Sequence, residues 1–336
     1  MRCVMFDTHS YDRQAFVAAN ARFGHDLRFV EPRLTRDTAQ LARGSATVCS
    51  FVNDRVDADA IDILRGGGVR LLALRSAGFN HVDLQAAQSA DIAVVRVPEY
   101  SPHAVAEHAV ALLLTLNRKI HRAHNRVRES NFSLDGLVGF DLFGKTCGVV
   151  GTGRIGAAFA RIMHGFGCRL LAADLSPNAE LAAAAGVHYV DLDVLWSEAD
   201  VISLHVPLTP ATRHLISAQA LARMKPGVVL LNTSRGALID TRALIASLKS
   251  GRMGAAGLDV YEEEEAVFFR DLSGEVLQDD VLARLMTFGN VLLTSHQGFL
   301  TREALANIAE TTLASLRAFE RGEPLTHQVR ADVVLR

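Results

Sequence analysis

The sequence has little that would tie it to a membrane, a polyanion or a disulfide framework. Its longest apolar stretch runs only from Ala109 to Leu116, far short of the about 20 residues that cross a bilayer, so no membrane partner is expected. Charge is nearly balanced, with 35 Lys and Arg against 37 Asp and Glu for a formal net charge of −2. Such a chain has no basic field to attract nucleic acid. The four cysteines, Cys3, Cys49, Cys147 and Cys168, lie far apart and form no Cys-x-x-Cys. The expectation is buried free thiols in a reducing cytoplasm, with no zinc or other metal site. The opening residues, MRCVMFDTHSYDR, lack an apolar core and a small-residue cleavage site, so they do not read as a secretory signal. There is no internal repeat and no low-complexity segment.

What is present is ample apolar material, 49% of 336 residues, enough for two ordinary cores. Short β-branched runs alternate with helical patterns: RCVMFD, a helix from about Tyr11 to Phe23, LRFV, a helical stretch, TVCSF, another helix, LLALRS and IAVVRV. This alternation predicts a parallel sheet covered by helices on both faces. Near Pro98 the pattern changes. Ser101 and Pro102 start a helix, predicted as one continuous element through about Val127. From Lys145 a second strand–helix series begins, including TCGVVG, RLLAAD, VISLHVP, GVVLLN, a helix from about Thr241 to Lys249, MGAAGLDV, VLLTSH and a last helix starting near Thr301.

Gly151–Thr152–Gly153–Arg154–Ile155–Gly156 fits G-x-G-x-x-G between the strand TCGVV and an amphipathic helix. Gly151 would permit the tight turn, Gly153 the close approach of a pyrophosphate, and Gly156 helix–strand contact. The helix N-terminus would supply N–H groups and partial positive charge. Asp174 ends the next strand, where a carboxylate accepts hydrogen bonds from a ribose and repels a 2′-phosphate. No arginine follows at once, so the expected cofactor is NAD.

Three strand ends beyond the fingerprint carry polar chemistry: Asn232–Thr233–Ser234–Arg235–Gly236 after GVVLLN, Asp259 and an acidic run after GLDV, and His296 after VLLTS. Ligands of open α/β sheets bind at that edge. Arginine can pair with a carboxylate bidentately, and histidine is the usual proton donor near neutral pH. The run Glu262 to Glu265 otherwise reads as a charged surface cluster.

On the segments RSAGFNHVD (Arg75–Asp83), VPEYSPHAVAEH, VVGTGRIG, SLHVPLTPATRHLI, MKPGVVLLNTSRGALID, GLDVYEEE, FFRD, LQDDVL and SHQGFLTREAL, the chain resembles the D-2-hydroxyacid dehydrogenase family along nearly its whole length. Within that family it is most similar to the fermentative enzymes that reduce pyruvate to D-lactate. The resemblance implies a catalytic set of Arg235 on the substrate carboxylate, His296 as acid and base at O2, and Glu264 orienting the histidine and favouring its charged form. Glu262, Glu263 and Glu265 would then be solvated. It also implies substrate contacts from the backbone of Ser76, Ala77 and Gly78, from Tyr100, and from Phe299 over a small methyl pocket. Around NAD it implies Arg154 and Ile155 under the pyrophosphate, Val206, Pro207 and Thr212 on the adenosine side, Thr233 and Asp259 near the nicotinamide, and Ser234 and Arg235 among the cofactor contacts. Gly298 stands where many relatives have Ala, and a slightly looser loop is expected there.

The implied fold is α/β, with two Rossmann-like or flavodoxin-like doubly wound parallel-sheet domains. The NAD domain, 101–298, is inserted into a discontinuous substrate domain made of 1–100 and 299–336, with hinges at Tyr100 and Gly298. The helix after Ser101 would build a homodimer, or a dimer of dimers. Alternative readings within this resemblance are a different 2-keto acid (glyoxylate, hydroxypyruvate, phenylpyruvate) and an NAD(H)-sensing corepressor-like protein.

Overall fold

The computed structural model describes residues 1–331. The chain forms two compact units, one made of Met1–Ser101 and the chain from Phe299 onward, the other of Pro102–Gly298. Ser101 falls with the first segment.

The first unit begins with β1 (Arg2–Met5), β2 (Asp26–Phe29), β3 (Thr47–Ser50), β4 (Leu71–Leu74) and β5 (Ala93–Arg96). The second contains β6 (Thr146–Val150), β7 (Arg169–Ala173), β8 (Val187–Tyr189), β9 (Val201–Leu204), β10 (Val228–Asn232), β11 (Met253–Leu258) and β12 (Val291–Leu293). The chain then returns to the first unit with helix Arg302–Glu320 and β13 (Gln328–Val329). The first sheet runs β2-β1-β3-β4-β5-β13, the flavodoxin-like order with one strand added. That added strand pairs antiparallel with β5, so this sheet is not wholly parallel as expected. The second sheet runs β8-β7-β6-β9-β10-β11-β12, the Rossmann order extended by one strand.

These strands form because their sequences are nearly unbroken apolar runs. Every residue of β3, β4, β6 and β10 is buried, as a parallel sheet covered on both faces requires. Short polar residues start the helices: Asp57 accepts from Ala60 N, Asp240 from Ala243 N, and Thr301 from Ala304 N, each such cap being worth about 1 kcal/mol.

Two local expectations are corrected. The helical stretch between β2 and β3 is only a 3-10 turn, Ala39–Ala42. The long helix after Ser101 is two helices, Pro102–Asn117 and Ile120–Arg128. The break has a clear cause. Asn117 donates to Phe140 O and accepts from Phe140 N, so the returning chain docks across the helix end. Lys119 then turns in the left-handed region at φ 51. The first helix is buried against Phe159 and Met163 of the second unit's core, whereas the second helix has no buried residue.

Candidate active site

In the second unit, the C-terminal strand ends line up across the sheet as Asp174, Gly151, Val206, Thr233, Asp259 and His296. Strand order reverses between β6 and β9, where open α/β sheets leave a crevice for ligands. Gly151 ends β6 at φ +89, and a Cβ there would lie 2.8 Å from the His205 carbonyl. A Cβ on Gly156 would lie 1.9 Å from Gly151 O, so neither position admits another residue. Gly153 begins helix Arg154–Gly165 with no side-chain cap and open space beside its Cα, which leaves the helix N-terminus accessible to a phosphate. Arg154 is exposed there, and Ile155 is half-buried against the core.

Asp174 accepts from Thr152 N at 2.5 Å, Thr152 Oγ1 at 3.0 Å and Ser176 N at 2.8 Å. Burial pushes its carboxyl up, but the Thr152 and Ser176 hydrogen bonds outweigh it and hold the group below the usual carboxylate range. Three bonds leave room for a further donor, since an ionised carboxylate offers about four acceptor positions. Farther along the edge, Ser234 Oγ donates to Val206 O and Thr212 Oγ1 to Pro207 O. Thr233 Oγ1 is buried with no hydrogen-bond partner. An orphaned hydroxyl, an uncapped helix start and an ionised carboxylate at the next strand end together fit NAD.

His205 lies beneath the fingerprint, its ring 5.1 Å from that of Phe159 and its Nε2 2.9 Å from Ser203 Oγ. Burial lowers its pKa from 6.5 to about 3. The unfolded chain therefore binds this proton near pH 6.5 while the folded chain refuses it, so stability is full above pH 6.5 and falls below. Between pH 7 and pH 5 the loss amounts to about 2 kcal/mol. His205→Gln is expected to flatten this dependence in urea unfolding. An unchanged pH slope in the variant would show that the ring contributes nothing to it.

At the other end of the edge, His296 Nδ1 donates to Glu264 Oε1 at 2.7 Å, which leaves Nε2 for a ligand. Both side chains are less than one-fifth exposed. Glu264 Oε2 accepts from Tyr261 N, so the carboxylate is held on both oxygens. His296 occupies the left-handed region at φ 55, a costly conformation for a non-glycine residue. Asp259 holds it there. Its carbonyl accepts from His296 N at 2.6 Å, and its carboxylate accepts from Gln297 N, Gly298 N and Thr294 Oγ1. The carboxylate is 1% exposed and therefore serves the His296 loop from inside. Burial pushes it up, while the hydrogen bonds from His108 and Thr294 bring it below the usual range. The looseness expected at Gly298 is not found. Its N–H is bonded to Asp259, and a Cβ would come 2.9 Å from Asp259 Oδ2, so the glycine permits a tight fit.

Arg235 follows β10 and precedes the turn Gly236–Leu238. Asn232 Nδ2 donates to the Arg235 carbonyl, and the guanidinium Nη1 donates to Ser234 O at 2.7 Å. Among the described residues no carboxylate pairs with it. A Cβ at Gly236 would lie 2.0 Å from Tyr261 C, so the Arg235 turn packs directly on the start of the acidic loop. That loop is not uniformly solvated as expected. Glu263 and Glu265 are exposed, but the Glu262 side chain is 16% exposed and bonded to His214 and Thr241.

Ser76, Ala77, Gly78, Tyr100 and Phe299 belong to the first unit. Ser76 Oγ donates to Gly78 O, and Arg96 Nη1 donates to Ala77 O. These bonds shape a loop whose three backbone N–H groups have no hydrogen-bond partner among the described residues. Phe299, 8% exposed, is surrounded by the rings of Tyr100, Tyr11 and Phe51 at 6.4, 6.2 and 5.9 Å. Phe51 is backed by the buried Arg75 guanidinium 4.4 Å from its ring.

Sequence reasoning missed Tyr11, Phe51 and His108. Phe51 directly follows β3 and could have been found by the strand-end rule used for the second unit, whereas Tyr11 lies in the first turn of helix Ser10–Asn20. The role of His108 had no local signal: it lies in a helix, and its Nε2 reaches Thr294 Oγ1 and Asp259 Oδ1, at 3.1 and 3.3 Å, only through the fold.

A family model described as D-isomer specific 2-hydroxyacid dehydrogenase, NAD binding domain, matches residues 110–298. A D-lactate dehydrogenase of Escherichia coli (strain K12) is 51% identical over 329 residues, covering 98% of this chain and 100% of its own. A 2-hydroxyacid dehydrogenase homolog of Zymomonas mobilis is 49% identical over 97% of this chain and 98% of its own. Among solved structures, the apo form of D-lactate dehydrogenase from Escherichia coli superposes with a TM-score of 0.90 at 49% identity, covering 98% of this chain and 100% of that one. A D-lactate dehydrogenase with NAD+ from Lactobacillus jensenii gives 0.82 at 31% identity, covering 98% and 99%.

Proposed function

This chain belongs to the D-isomer specific 2-hydroxyacid dehydrogenase family and is an NAD-dependent oxidoreductase, and from that premise we propose that it reduces pyruvate to D-lactate, reversibly, using Arg235, His296 and Glu264. The carrying observation is the 2.7 Å pair of His296 and Glu264 on the same sheet edge as an arginine that no carboxylate among the described residues neutralises.

Bound NADH supplies the hydride that reaches C2 of the keto acid. Arg235 binds the substrate carboxylate through its planar fork. The imidazolium of His296 gives its Nε2 proton to O2 as the carbonyl becomes an alkoxide, and in the oxidative direction the neutral ring takes it back. Glu264 fixes the ring's tautomer and orientation through Nδ1. Within the first unit, the N–H groups of the Ser76–Gly78 loop, unpaired among the described residues, suit an anion.

A homodimer fits the run of exposed apolar residues that follows helix Pro102–Asn117. Phe132, Leu134, Val138 and Phe143 are 73–83% exposed, more than a solitary surface normally carries in one segment. A fermentative role in the cytoplasm accords with pyruvate as acceptor and with free buried thiols. No helix among the described residues is long and apolar enough to cross a membrane.

The test is loss of reduced-nicotinamide absorbance with pyruvate and NADH, with the product resolved on a chiral column. D-lactate alone supports the reading. Turnover confined to glyoxylate, hydroxypyruvate or phenylpyruvate would replace the substrate and keep the mechanism. Tight NADH binding without turnover of any 2-keto acid would favour a sensing protein.

A further inference from the structure

The Arg235 turn and the acidic loop meet at a third segment, Thr209–Ile216, and one residue of that segment bonds to both. His214 N donates to Ala237 O at 2.8 Å, two residues past Arg235. Its ring Nε2 lies 2.5 Å from Glu262 Oε1, two residues before Glu264. Glu262 also accepts from Arg213 Nη2 at 3.4 Å and, on its other oxygen, from Thr241 Oγ1 at 3.3 Å. Backbone bonds from Ile216 N to Leu238 O and from Asp240 N to Ile216 O continue the seam. His214 sits in the left-handed region at φ 51. A residue other than glycine persists there, at a cost of about 1 kcal/mol or more, only when its surroundings overdetermine it.

We propose that His214 and Glu262 are positioning residues for the reaction, latching the loop that carries Glu264 to the turn that carries Arg235. The inference rests on the roles given above to Arg235, Glu264 and His296. The physical basis is the steepness of rate with geometry. The carboxylate-binding cation and the partner of the proton donor sit on separate loops, and a displacement of about 1 Å between such groups costs up to about a hundredfold in rate. Tyr261 packed on Gly236 sets the closest approach of the two loops. The Glu262–His214 pair stops the acidic loop from swinging about that contact, and Thr241 braces it from the following helix.

Four variants decide the matter: Glu262→Ala, His214→Leu, the pair combined, and His214→Gln, whose amide can still donate to Glu262. Glu264→Gln runs beside them. Expected are an about tenfold fall in kcat in each single removal, a rise in KM for pyruvate, and KM for NADH within about twofold. The double variant should be no worse than the singles, because both remove the same latch. His214→Gln should recover most of the loss. Should Glu262→Ala fold poorly, His214→Leu and His214→Gln carry the comparison alone. A lowered Tm with kcat unchanged, or additive losses in the double variant, would reduce the pair to a stability element and overturn the proposal. If Glu264→Gln also leaves kcat intact, the catalytic assignment itself fails, and the latch falls with it.

Discussion

Replacing His296 with alanine is expected to lower kcat for pyruvate reduction by about 10³–10⁴-fold, near the upper end of what a positioned proton donor contributes. Among the described residues of the second unit, neither neighbouring carboxylate is placed to take over. Asp259, beside it in space, is ionised, 1% exposed and fully occupied by the His296 loop, so it has no proton to give. Glu264 is held by Tyr261 N on the side away from the ring. NADH affinity should change little, because the nucleotide-cradle features lie at β6, β7 and β10 and none of them includes the imidazole. Steady-state rates with a fluorescence titration of NADH separate the two quantities. A variant retaining more than about a tenth of wild-type kcat would remove His296 from the proton-donor role.

Arg235→Lys is expected to lower kcat/KM for pyruvate by about 10²–10³-fold, the scale set by truncating one partner of a desolvated charge pair. The lysine keeps the charge but loses the fork. Nη1 is already bonded to Ser234 O, which aims the guanidinium plane, and a single ammonium cannot both keep that bond and meet two carboxylate oxygens. The loss should fall on KM for pyruvate and on kcat together, while KM for NADH stays within about threefold. A rise in KM for NADH as large as that for pyruvate would place Arg235 on the cofactor instead. Arg235→Gln should be worse than Arg235→Lys, since it removes charge and fork together.

How far the molecule could be read from its sequence varies element by element. β6, helix Arg154–Gly165 and the glycines between them were legible because turn, strand and helix signals are local and lie within about twenty residues. Helix Pro102–Asn117 was legible at its start, from Ser101 and Pro102, but not at its end. The stop is made by Phe140, more than twenty residues away, bonding to Asn117.

The acidic run shows the same limit. Four consecutive glutamates are indistinguishable by composition. In the fold, Glu264 meets His296, Glu262 meets His214, and the other two face outward. The sequence by itself determined the alternation of strands and helices, the dinucleotide fingerprint with its acidic partner, and the presence of Arg, Glu and His after successive strands. The resemblance had already named Glu264 as the partner of the histidine; only the tertiary structure showed that Glu262 is also turned inward, that Asp259 works from within, that Gly298 is needed for closeness, and that His108 and His214 bond to Asp259 and Glu262. The reason is physical: backbone preference and periodicity act between neighbours in the chain, whereas a hydrogen bond depends on distances that only the packed sheet brings about.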